Sequence, residues 1–138
     1  MSDPKAADMK SRYFDSKLLE VLYCRSLADA ISRSPKKPAI ILNFLNPGFC
    51  HSELYRGGTM GIKIMLKILA RSTEEGSRTL VNAVEGGKDT HGEYLSDCKI
   101  AMVSNFVLSK EGKETQTRLW EELNEKLEKI EPGITANI

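Results

Sequence analysis

Between Pro38 and Pro47 stands Ala39-Ile40-Ile41-Leu42-Asn43-Phe44, a short and nearly all-apolar run. Bounded by two residues that cannot donate to a ladder, it reads as a buried strand with both faces covered. Ahead of it, from about Tyr13 to Ser32, the apolar residues Phe14, Leu18, Val21, Leu22, Leu27, Ala28 and Ile31 fall mostly three and four apart and predict an amphipathic helix. Ser34-Pro35-Lys36-Lys37-Pro38 ends that helix. A covered strand entered from a helix of about twenty residues points to a parallel α/β sheet.

The rest of the chain fits the same class. Asn46-Pro47-Gly48 is a turn signal directly after the strand. Gly57-Gly58 and Gly61 mark a mobile connection into a second apolar helix at about 60–70. Ser72-Thr73-Glu74-Glu75 has the form of a capping box, with Ser72 as N-cap, and opens a helix running to about Val84 before Gly86-Gly87. Residues 92–96 suggest a short strand, and Ile100 to Leu108 is ambiguous. Leu119, Leu123, Leu127 and Ile130 form a narrow apolar stripe on a last helix, with Glu122–Lys126 and Glu125–Lys129 spaced as i,i+4 pairs and Pro132-Gly133 at its end.

Composition removes several functions. The 138 residues suffice for one small domain, and a net charge of +1 with Lys and Arg dispersed argues against a nucleic-acid footprint. Cys24, Cys50 and Cys98 are far apart and odd in number, and no secretory signal opens the chain, so a reduced, cytoplasmic setting is expected. The longest apolar tract, Met60 to Ala70, is interrupted by Lys63 and Lys67 and is too short to span a bilayer. Cys50-His51 lacks a second Cys/His pair at ligand spacing, so no metal site is expected. Cys24 reads as a small core residue, His91 as a solvated loop residue, and Glu74 and Glu75 as helix-capping residues.

Two features carry chemistry. Tyr13 and Lys17, at i and i+4, can share a helix face. A phenol of pKa about 10 is a poor acid or base near neutrality, and an adjacent ammonium favours the phenolate. With four Tyr and thirteen Lys in the chain, chance supplies roughly 0.4 such spacings, so the pair is informative only in company. The second feature is the turn Asn46-Pro47-Gly48-Phe49-Cys50-His51-Ser52 beyond the strand's carboxyl end, where open α/β sheets bind ligands. Its Pro and Gly can bring backbone groups close to a flat ligand, and Ser52 can hydrogen-bond an amide. Taken alone it is a simple strand-to-helix turn.

Together these residues resemble the short-chain dehydrogenase/reductase family, in particular its retinol-dehydrogenase-like branch and its fungal members. Tyr13-x-x-Ser16-Lys17-Leu18-Leu19 is similar to the family's active-site helix, and Asn46-Pro47-Gly48-x-x-x-Ser52 to its Pro-Gly-x-x-x-Thr/Ser segment. Arg71-Ser72-Thr73-Glu74-Glu75-Gly76 looks like the start of its next helix. Gly92-Glu93-Tyr94-Leu95-Ser96-Asp97-Cys98-Lys99 is similar to its Gly-x-Tyr-Phe-Ser-Asp-Cys stretch. Four motifs in order, across residues 12 to about 123, are far more specific than any one.

The resemblance implies an NAD(P)-dependent oxidoreductase interconverting an alcohol and a carbonyl on a small, hydrophobic substrate, of the kind found in secondary metabolism. Tyr13 would move the proton. Lys17 would lower its pKa and bind the nicotinamide ribose. Pro47, Gly48 and Phe49 would line the nicotinamide, Ser52 would contact its carboxamide, and helix 53–70 would form a substrate lid. The family's Gly-x-x-x-Gly-x-Gly loop, Asn-Ala-Gly segment and catalytic serine lie upstream of the tyrosine, and residues 1–12 hold none of them. The expected fold is therefore the C-terminal half of a doubly wound Rossmann-type sheet, with residues 1–138 as one partial domain. Two expectations follow: a truncated enzyme, with the missing half on a longer form or another chain and a homodimer as a further pairing, or an inactive remnant acting as a protein-interaction module. The choice between NAD and NADP belongs to residues outside this sequence.

Overall fold

The structure, a computed structural model, describes residues 8, 11–36, 39–51, 57 and 59–137. They fall into two compact units, one made of Met1–Ile40 and Val103–Ile138, the other of Ile41–Met102.

The first unit is helical. Helix α1 spans Arg12–Arg33, close to the 13–32 that the apolar spacing predicts. Its Leu22 is completely buried and forms a core with Val107 and Leu119, ringed by Leu18, Leu19, Val21, Tyr23 and Val103. Val107 belongs to the single-turn helix α4, Asn105–Leu108, and Leu119 to helix α5, Lys110–Ile130. Tyr23 stacks on Trp120 with ring centroids 5.3 Å apart, and the Gln116 amide donates to Ser26 Oγ at 3.0 Å. Cys24 is half-buried, and burial pushes its thiol pKa up. Ser109 caps α5 by accepting from the Gly112 N–H at 3.0 Å, and the helix ends in the expected Pro132-Gly133 region. Beyond it Glu128 gathers the N–H groups of Gly133 and Thr135 and the Thr135 hydroxyl, folding a terminal 3-10 turn back on α5.

The second unit holds the sheet. Strand β1 (Phe44–Asn46) pairs in parallel with β2 (Tyr94–Ser96), in the register Phe44↔Tyr94, Leu45↔Leu95, Asn46↔Ser96. Strand β3 (Lys99–Ile100) adds antiparallel to β2, giving the order β1-β2-β3. Helix α2 is Met60–Leu69 and helix α3 is Thr73–Glu85, followed by a 3-10 turn at Gly87–Thr90. The capping box appears as the sequence predicts: Ser72 Oγ accepts from the Glu75 N–H, and the Glu75 carboxylate accepts from the Ser72 N–H.

The first strand departs from expectation. Residues 39–43 are not in the ladder, and Ile40 and Ile41 are exposed. The reason lies in the partners of their backbone. The Leu42 N–H donates to His91 Nδ1 at 3.1 Å, and Asn43 turns its amide to the Ala83 carbonyl and Thr90 Oγ1 at 2.7 and 2.9 Å. Regular pairing therefore begins at Phe44, and the strand is half-buried rather than covered on both faces. His91, expected to be solvated, is half-buried and accepts a main-chain hydrogen bond. The ambiguous stretch 100–108 resolves into the end of β3 and the turn of α4.

Candidate functional site

Tyr13 and Lys17 lie in the first turns of α1. Both are exposed, and the Tyr13 ring meets Phe14 edge-on at a centroid distance of 5.5 Å. Ser16 Oγ donates back to the Tyr13 carbonyl at 2.7 Å, the local bond a helical serine commonly makes. Lys17 Nζ donates to Glu20 Oε2 at 2.8 Å. That hydrogen bond and the Glu20 charge raise the lysine pKa above its ordinary value, with a smaller contribution from Tyr13. Glu20 was not among the residues the motif singled out, although its i,i+3 spacing from Lys17 is the available signal.

Pro47, Gly48 and Phe49 belong to the second unit, directly beyond the carboxyl end of β1. Asn46 shapes the turn: its side-chain oxygen accepts the Gly48 N–H at 2.9 Å, an Asx turn. Gly48 takes φ +82, where a side chain is strained. A Cβ placed there would also stand 3.1, 3.4 and 3.6 Å from Nη1, Cζ and Nε of Arg71, so a planar guanidinium lies over the glycine. Downstream, the Arg71 N–H donates to the Phe49 carbonyl at 2.8 Å, and the Arg71 carbonyl accepts from the His51 N–H at 3.0 Å. These two bonds make a parallel bridge between Cys50 and Arg71. Cys50 Sγ donates to the Pro47 carbonyl at 3.1 Å and packs against Gly76 of α3, where an added Cβ would come within 2.6 Å of the sulfur. Ser52, the remaining expected cofactor contact, lies outside the described residues, as does much of 53–58 at the start of the expected lid.

Arg71 Nη1 also pairs with Asp97 Oδ1 at 2.5 Å. Asp97 and Cys98 form the two-residue turn between β2 and β3, with φ values of 51 and 59, the left-handed pair of a type I′ hairpin. The Gly-x-Tyr-x-Ser-Asp-Cys motif is thus a hairpin whose tip reaches Arg71. A cavity of about 260 Å³ is lined by Arg71, Glu75, Arg78, Thr79, Asp97 and Cys98. Its second guanidinium, Arg78, is held by both oxygens of Glu74 at 2.9 and 2.8 Å. Among the described residues no group of three His, Cys, Asp or Glu is arranged to hold a metal ion, and no helix is long and apolar enough to cross a membrane.

A parallel strand pair with a glycine turn at its carboxyl end, flanked by a capped helix, defines an α/β protein consistent with part of a Rossmann-type sheet. Comparison with known proteins gives the family. The chain is 53% identical over 123 residues to a short chain dehydrogenase/reductase of Cryptosporiopsis sp., which covers 88% of this chain and 37% of that protein. It is 42% identical over 142 residues to a short-chain dehydrogenase of Penicillium roqueforti, covering 97% of this chain and 37% of the relative. It is 40% identical over 102 residues to a short chain dehydrogenase of Emericella nidulans, covering 70% and 32%. The chain belongs to the short-chain dehydrogenase/reductase family, and it spans between three and four tenths of the length of these relatives. No family model matches the chain, and no solved structure does.

Proposed function

We propose that this chain carries the proton-transfer pair and the nicotinamide-facing turn of an NAD(P)-dependent oxidoreductase that interconverts an alcohol and a carbonyl on a small, hydrophobic substrate. The observation that supports this most is the similarity to short-chain dehydrogenases over most of the chain, 88% of it against one relative and 97% against another. When bound, the nicotinamide would supply or accept the hydride. Tyr13 passes the proton to or from the substrate oxygen. Lys17 holds positive charge beside the phenol and offers donors to ribose hydroxyls; an ammonium has three N–H groups, so its bond to Glu20 does not exhaust it. Pro47, Gly48 and Phe49 present backbone to one face of the ring, and the fixed Asx turn and the φ of Gly48 suit that close approach. Ser52 contacts the carboxamide.

Titration of the purified chain with NADH and with NADPH, read by fluorescence, tests the reading. Saturable binding of either supports it, and no binding at millimolar cofactor removes an enzymatic role for this chain on its own. In an active preparation, Tyr13→Phe is expected to lower kcat by about 10²–10⁴-fold, the usual contribution of general acid–base catalysis, with the fold unchanged by circular dichroism.

A second reading is favoured by one observation. Helix α2 buries none of its residues and exposes Met60, Ile64, Met65, Ile68 and Leu69. In this reading the chain acts as an interaction module, pairing with a second copy or with a chain that supplies further parts of the fold. Sedimentation of the chain alone across a hundredfold concentration range separates the two forms of pairing.

A further inference from the structure

We infer that Arg71, steered by Asp97, is the positioning residue for Gly48 and thereby sets how the Pro47–Phe49 turn meets a nicotinamide ring; the second clause rests on the function proposed above. The turn is held from several directions, and the bonds differ in kind. Phe49 and His51 are fixed by the main chain of Arg71, through bonds of 2.8 and 3.0 Å that any residue at position 71 can make. Cys50 is fixed by the Pro47 carbonyl and by the lack of a side chain on Gly76. Gly48 is different. Its N–H goes to Asn46, and the space a side chain would fill is covered by the Arg71 guanidinium. Of the contacts around Gly48, only this one depends on the identity of residue 71.

The guanidinium does not hold itself in place. Asp97 takes Nη1 at 2.5 Å, and its direction is fixed by the left-handed hairpin turn it occupies. That hairpin starts from β2, whose Ser96 pairs with Asn46, the residue that begins the glycine turn. The chain of contacts therefore closes on itself: β1 to Gly48, Gly48 to Arg71, Arg71 to Asp97, Asp97 through β2 back to β1. The main chain of Arg71 is anchored too, because Ser72 beside it is the N-cap of α3. A planar guanidinium suits the role, since it can lie flat over a glycine while pairing in its own plane, which an ammonium cannot do.

Two substitutions isolate the side chains. Asp97→Asn keeps a residue that tolerates the left-handed turn and removes only the charge. Arg71→Gln leaves every main-chain bond at 71 in place. The 138-residue chain, labelled for NMR, is followed by amide hydrogen exchange at Gly48 and His51 and by its dissociation constant for NADH. Exposed ion pairs have modest effects, so each variant is expected to speed exchange at Gly48 by about fivefold and leave His51 unchanged. The double variant is expected to go no further than Arg71→Gln alone, and NADH affinity to weaken by the same factor. A merely structural role would move Gly48 and His51 together along with the melting temperature. Unchanged exchange at Gly48 in both single variants overturns the positioning role whether or not NADH binds, and additive effects in the double variant overturn the steering by Asp97. Faster exchange at Gly48 in a chain whose wild type binds no NADH keeps the positioning of the turn and overturns the proposed cofactor reading.

Discussion

Cys98 stands where side chains are rarely found. With φ 59, directly after Asp97 at 51, it completes a two-residue hairpin that favours glycine at that position. Aspartate tolerates the left-handed region through its short polar side chain, whereas cysteine has no such compensation. Cys98→Gly is therefore expected to stabilise the protein by about 0.5–1 kcal/mol, seen as a higher urea midpoint with an unchanged m value. Gly48→Ala runs the other way. It would put a methyl group 3.1 Å from the Arg71 guanidinium at φ +82, and a loss of about 1–2 kcal/mol is expected in the same assay. The two positions differ in how far the sequence discloses them. Asn46-Pro47-Gly48 announces a turn by residue type, while Ser96-Asp97-Cys98-Lys99 contains no glycine or asparagine, so only the pairing of β2 with β3 reveals its hairpin.

Helix α3 shows local chemistry that is readable in advance, and β1 shows the opposite. Ser72 and Glu75 satisfy each other's main-chain N–H groups across four consecutive residues, so the motif can be read without knowing the fold. Ser72→Ala is expected to cost about 1 kcal/mol. The Glu75 carboxyl is held below the usual carboxylate range, chiefly by the Ser72 N–H and then by its hydroxyl. A depressed folded pKa means that this contribution is complete above the unfolded carboxylate value and is lost as pH falls through the folded one. Protection of the amides in the first turn of α3, taken relative to their intrinsic exchange rate, should accordingly fall below about pH 4, the unfolded glutamate pKa being about 4.3, and this pH dependence should be much reduced in Glu75→Gln. The start of β1 follows no such local rule. It depends on His91 and Thr90, nearly fifty residues along the chain, which take up the polar groups of Leu42 and Asn43. Hydrophobicity alone therefore places the strand too early.

Across the whole molecule the two units differ in how they bury apolar surface. The first closes over Leu22, and Leu22→Ala is expected to destabilise it by about 2–5 kcal/mol by thermal or urea unfolding. In the second, Ala83 and Leu95 are the hydrophobic side chains fully buried among the described residues, while α2, Leu80, Val81, Val84, Ile100 and Met102 carry large apolar groups to the surface. Exposed apolar side chains of this kind offer binding sites to an apolar probe. Native-state binding of an apolar fluorescent dye, suppressed as protein concentration rises, is the expected outcome, and absence of dye binding in a dilute sample would show the surface to be covered. The family was legible from four motifs in order. The Arg71–Asp97 link was not, because it depends on which side chain meets the tip of the β2–β3 hairpin.

The first unit is also discontinuous in sequence, and that bears on the order of events during synthesis. Leu22 finds its core partners at Val107 and Leu119, so α1 leaves the ribosome long before the residues that shelter it. At about 5–20 residues per second, the interval between residues 22 and 119 is roughly 5–20 s. Until Val103 and Val107 are made, the apolar stripe of α1 lacks the partners it has in its own unit, and Leu119 completes the core later still. The continuous segment Ile41–Met102 is complete earlier and can begin pairing β1 with β2 while α5 is still being made. Silent codon changes that delay translation between 103 and 119 should therefore lower soluble yield without altering a single side chain.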